Sequence, residues 1–116
     1  MGRDLSFWKQ KNSLQMNNSK IYQELTKGNY LDFICDIPSE EILKEFKVEF
    51  SEWEYSDDLY FKKGNELFQL YITKQFVRAD CFSMNEKNMN KIIDILLKYE
   101  CPLYDSVIDV RFDEEY

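Results

Sequence analysis

The sequence predicts an α+β fold in one domain, 1–116: a mainly antiparallel sheet of about five strands with two or three helices packed on one face. Three observations predict it. Apolar and polar residues alternate at Phe68, Leu70 and Ile72 and again at Ile108, Val110 and Phe112, the period of a strand with one wet face. Ile42, Leu43, Phe46 and Phe50, then Met89, Ile92, Ile93, Leu96 and Leu97, fall at helical spacing. The element order β-α-α-β-β-β-α-β groups strands with strands, which suits antiparallel neighbours; a ferredoxin-like variant with extra elements has a similar order.

Each element has a local reason. Leu5 and Phe7 share one face of a first strand ending near Trp8. Ser19 stands where a cap would open a short helix carrying Ile21, Tyr22 and Leu25, and Gly28 stops it. Pro38 opens a second helix, because a first-turn residue loses no needed N–H. Glu40 and Glu41 then suit the positive end of its dipole. Lys63-Gly64-Asn65 and Thr73-Lys74-Gln75 read as turns between strands at 59–61, 68–72 and 76–82. Ser83 and Glu86 have the spacing of a capping box before the third helix, and Pro102 forbids its continuation. The last strand alternates Ile108, Val110 and Phe112 with Asp109, Arg111 and Asp113.

Composition narrows the chemistry. Histidine is absent, so no Ser-His-Asp or Cys-His pair exists. Gly2, Gly28 and Gly64 are far apart, which excludes a glycine-rich phosphate loop. Cys35, Cys81 and Cys101 show no C-x-x-C spacing; they are expected to be reduced, buried and without metal. No cofactor is implied. Carboxylate catalysis is the one enzymatic route left, and nothing marks an acid for it, so no catalytic residue is expected. No apolar run approaches the roughly 20 residues of a membrane span, and no secretory signal is evident, so a cytoplasmic location is expected.

The net charge of -7 is concentrated. Nine acids lie between Asp36 and Asp58 against Lys44 and Lys47, so this segment carries the whole excess. Glu41, Glu45, Glu49 and Glu52 recur at the spacing of one helix face, although like charges there repel. Glu54, Asp57 and Asp58 follow, with Trp53 and Tyr55 embedded among them; Asp113, Glu114 and Glu115 form a second acidic stretch. Such a field speeds encounter with a basic partner and repels nucleic acid. Large aromatics are usually buried, which favours a core role for Trp53 and Tyr55. Alternatively they, or Trp8, anchor the partner. The second sheet face would collect Trp8, Tyr60, Tyr71, Phe76, Arg78 and Phe82, a set that suits single-stranded RNA, but the first helix or the 9–18 segment is expected to cover it.

The opening Met1-Gly2-Arg3-Asp4 with Phe7-Trp8-Lys9 resembles a family of small bacterial proteins with no assigned activity. The same resemblance extends to Thr73-Lys74-Gln75-Phe76-Val77-Arg78, Met89-Asn90-Lys91-Ile92-Ile93-Asp94 and Cys101-Pro102-Leu103-Tyr104-Asp105. In size, acidity and lack of catalytic apparatus the chain is also similar to immunity proteins of bacterial polymorphic and contact-dependent inhibition toxins. That likeness implies a non-enzyme that binds a basic toxin domain, typically a nuclease. Its contact residues would be Glu41, Glu45, Glu49, Glu52, Trp53, Glu54, Tyr55, Asp57, Asp58 and Trp8. Single-stranded RNA binding and a small carboxylate enzyme are the competing expectations.

Overall fold

Alternating side chains and two tight turns make the middle of the chain a meander, and the rest of the sheet grows from its last strand. The computed structural model describes residues 2–11 and 17–112. Its elements are β1 (Gly2–Phe7), α1 (Asn18–Thr26), α2 (Ser39–Glu49), β2 (Glu54–Ser56), β3 (Tyr60–Lys63), β4 (Glu66–Ile72), β5 (Val77–Phe82), α3 (Glu86–Leu97), β6 (Leu103–Asp105) and β7 (Val110–Arg111). The sheet order is β2-β3-β4-β5-β1-β6-β7. Every neighbouring pair is antiparallel, so the parallel pairing of a ferredoxin-like split βαβ is not present among the described residues.

The class is α+β, with seven strands among the described residues and not about five. The additions are short. β2 is an edge strand of three residues, Glu54–Ser56. β6 carries only Leu103, Tyr104 and Asp105, too few residues to show a period. On the first face, α2 and α3 cover one core: Ile42, Phe46, Ile92, Ile95 and Leu96 meet Leu5, Phe7, Phe68, Leu70, Val77 and Ala79. α1 packs on the opposite face, the cover expected there of the first helix or the 9–18 segment. There Ile21 and Leu25 join Ile34 over Trp8, Phe76 and Tyr104. Trp8 and Phe76 lie just outside β1 and β5, one residue out of phase with Phe7 and Val77, so their rings need a cover of their own.

Two caps differ from those expected. Asn17, not Ser19, caps α1 and accepts from the Lys20 amide at 2.8 Å. Ser83 has φ +58° and turns the chain out of β5, which removes it from the extended conformation a cap needs. Asn85 caps α3 instead, accepting from the Asn88 amide at 2.8 Å. Glu66 of β4 accepts from the Asn85 amide at 2.9 Å and fastens this corner.

The largest correction concerns the last strand. Ile108, Val110 and Phe112 were expected to face inward; they are 57%, 39% and 46% exposed. The turn at 106–109, with Asp109 at φ +54°, sets Arg111 opposite Tyr104 and Val110 opposite Asp105. A one-residue change of register exchanges the faces of a strand. Arg111 is therefore the inward residue. Its Nη2 donates to the Trp8 carbonyl at 2.6 Å, and its guanidinium lies 5.2 Å from the Trp8 ring. Asp113, Glu114 and Glu115 lie outside the described residues.

Gln75, read from sequence only as part of a turn, is buried and holds the chain between α1 and α2 in place. Its Nε2 donates to the carbonyls of Leu31 at 2.7 Å and Ile34 at 2.8 Å, and its Oε1 accepts from the Leu31 amide at 2.9 Å. Gln75→Leu is expected to lose at least about 2 kcal/mol, because it strands buried polar groups. Urea unfolding checks this; an unchanged midpoint would show that water takes over the three bonds.

Candidate partner-binding surface

Helix α2 presents the acids as the spacing predicts, but α3 answers some of them. Lys98 Nζ lies 3.2 Å from Glu45, and Lys91 Nζ lies 3.9 Å from Glu49. Lys63 reaches Glu52 at 3.5 Å. Tyr99 also donates to Glu45, and burial followed by the Glu45 charge raises its phenol above the ordinary range. These are exposed or half-exposed pairs that contribute little stability, yet they cancel field. Among the described residues, Glu40, Glu41, Glu54, Asp57 and Asp58 have no cation within ion-pair distance. The single acidic row of the sequence thus divides. One free group marks the start of α2, and the other lies along the β2 edge and its turn.

The aromatics divide too. Trp53 is buried, packed edge-on against Phe50 at 5.2 Å and near Phe68 at 5.6 Å. Trp8 is fully buried, 5.1 Å from Tyr104. Neither packing agrees with a role as a partner's anchor, because each ring already fills the core beneath a helix. Tyr55 remains 38% exposed, with Lys47 Nζ 4.8 Å above its ring.

The sheet face of the competing RNA reading is largely covered. Phe76 and Trp8 lie under α1, and Arg78 is committed to Asp80 through two bonds of 3.0 and 3.2 Å. Across β1 and β5, Asp4 and Asp80 stand opposite each other. Such a pair is where carboxylate chemistry would be sought, but both acids are engaged. Arg78 holds Asp80, while the hydroxyls of Tyr22 and Ser106 donate to Asp4. Burial, then that bond to Asp4, raises the Tyr22 phenol. Among the described residues, no group of three or more His, Cys, Asp or Glu side chains is placed to hold a metal ion. None of their helices is long and apolar enough to cross a membrane. A cavity of about 540 Å³ opens elsewhere, between Met84, Met89, Val107 and Ile108.

The three cysteines are free; Cys81 and Cys101 are buried and Cys35 is half-buried. Burial pushes the Cys81 thiol up to about 12 and the Cys101 thiol up to about 11. Burial, then the bond to Asp109, also raises the Tyr104 phenol. A group whose folded pKa is raised contributes stability below its unfolded pKa and loses it as pH rises through the folded one. Stability is therefore expected to fall above about pH 9, by up to about 1.4 kcal/mol per pH unit for each buried thiol. Urea midpoints measured from neutral to alkaline pH check this, and Cys81→Ala should flatten the slope. A midpoint independent of pH there would contradict it.

Sequence reasoning missed Lys91 and Lys98 as partners of the acidic row. It also missed the exposed face of Tyr60, Leu67 and Phe82 as a surface separate from Trp8 and Phe76. Strand parity was its only available signal, and the register that divides the face is set by pairings distant in sequence. Comparison with protein-family models, curated proteins and solved structures finds no match.

Proposed function

We propose that this chain is an immunity-type protein that binds and neutralises a basic toxin domain, a nuclease, and carries out no reaction itself. One observation carries the reading: among the described residues, Glu54, Asp57 and Asp58 and also Glu40 and Glu41 have no cation within ion-pair distance after internal pairing. A nuclease domain carries cations that hold substrate phosphates. Carboxylates on a folded surface compete for the same cations and raise the rate of encounter. The burial of Trp8 and Phe76 and the commitment of Arg78 weigh against single-stranded RNA as the partner. The engagement of Asp4 and Asp80 weighs against a carboxylate enzyme.

The experiment is a calorimetric titration with the product of the gene immediately upstream, if that product ends in a basic domain. A saturable one-to-one complex that weakens as salt rises is the expected result. A metabolic or ribosomal neighbour with no such domain, or a domain that gives no heat at low salt, would remove the reading.

A further inference from the structure

Helix α1 covers only half of the second sheet face. The covered strip runs Tyr71–Arg78–Ser6–Tyr104 across β4, β5, β1 and β6. Two residues further along the strands, the next strip on this face includes Tyr60, Gln69, Asp80 and Asp4, and the one beyond it Glu54, Lys62, Leu67, Phe82 and Gly2. Nothing among the described residues covers this outer half: Phe82 is 42% exposed, Tyr60 37%, and Leu67 lies partly open between them.

We propose that this open half-face is the docking surface for a basic protein partner, which seats an aliphatic or aromatic side chain on Phe82 and Leu67 and sets Arg or Lys against the acids around them. The proposal rests on the reading of the chain as a binder of a basic domain and assigns that domain its contact surface.

Charge decides the occupant. Asp4 has hydroxyl partners and no cation within ion-pair distance among the described residues. Glu54 lies on the same face at the β2 edge, and Asp57 and Asp58 form the adjoining turn. Asp80 is answered by Arg78, and Lys62 is the remaining cation of the open strips. The balance is negative around an apolar floor. A phosphate backbone laid across this half-face would meet Asp4, Asp80 and Glu54, whereas a guanidinium or ammonium would find those carboxylates already placed.

The Phe82 ring lies close against the bare backbone of the neighbouring strand: a Cβ on Gly2 would come within 2.9 Å of it.

The test uses the full chain labelled with ¹⁵N and two probes: a peptide of alternating arginine and leucine, and an oligouridylate. The peptide is expected to shift the amides of Lys62, Leu67 and Phe82 and to bind more weakly as salt rises. Phe82→Ser should weaken it roughly tenfold, as loss of an interface anchor does. Lys62→Glu, at an exposed site outside the core, should tighten it and keeps the test valid if Phe82→Ser does not fold. Shifts confined to Glu40 and Glu41 of α2 would overturn this surface and leave the basic-partner reading standing. Shifts at Phe82 from the oligouridylate and not from the peptide would overturn both, as would no shift with either probe.

Discussion

Reversing the charge of Glu54, Asp57 and Asp58 is expected to slow association with a basic toxin domain by about ten- to a hundredfold at low salt, and to flatten its salt dependence. These acids have no cation within ion-pair distance among the described residues, so their field is cancelled less than that of the paired acids of α2. The same change at Glu45 and Glu49 should do less, because Lys98 and Lys91 already answer them. Dissociation should hardly change, since steering acts before contact. The fold should survive, because exposed charges at an edge strand contribute little stability. Stopped-flow association at several salt concentrations measures this. Equal rates for the parent and the triple reversal would make the β2 edge an ordinary solvated surface.

Phe68→Ala is expected to cost about 3–5 kcal/mol, the range for deleting a fully buried aromatic. Phe68 stacks on Phe61 at 4.7 Å and meets Phe50 at 4.9 Å, Trp53 at 5.6 Å and Phe46 at 6.0 Å. This cluster joins the end of α2 to β3 and β4, and through Trp53 it positions the chain that enters β2. Its loss would therefore unsettle the acidic edge as well as the core. Chemical unfolding of the variant gives the number. A loss below about 1.5 kcal/mol would mean that the neighbouring rings collapse into the gap, and that the cluster is looser than its packing distances imply.

The elements that local physics dictates were legible in the sequence. The apolar stripe of α2, the meander through Lys63-Gly64-Asn65 and Thr73-Lys74-Gln75, and the helix after residue 85 all stand where periodicity and turn chemistry put them. Features set by distant partners were not. Cover of the second face was expected of α1 or the 9–18 segment, but the strip that α1 takes depends on Trp8, Phe76 and Tyr104 meeting from three separate segments. The inversion of Ile108, Val110 and Phe112 depends on how a turn sets Arg111 against Tyr104, and no hydrophobic pattern reports that. Ser83 has the spacing of a cap but the wrong backbone conformation, which a one-dimensional pattern cannot show.

The candidate surface was legible in the same partial way. Charge counting found the acidic segment, because composition records every carboxylate. It could not tell which of them α3 would neutralise, since Lys91 and Lys98 are some forty to fifty residues from the acids they meet. Residue type favoured burial for Trp53 and Tyr55 alike; Trp53 does turn inward, while Tyr55, two residues on, stays half outside. Removing Trp8 and Trp53 as anchors shifts the apolar part of any interface to residues that strand parity leaves in the open, Phe82 and Leu67 foremost.

The most direct measurement is inhibition of the nuclease that this chain is proposed to neutralise. The basic domain encoded upstream is incubated with its nucleic-acid substrate while the chain is added in increasing amounts. Cleavage is predicted to stop at one equivalent of chain and to return as salt rises or when Glu54, Asp57 and Asp58 are reversed. Undiminished cleavage at saturating chain, or retention of the nucleic acid by the chain itself, would contradict the account.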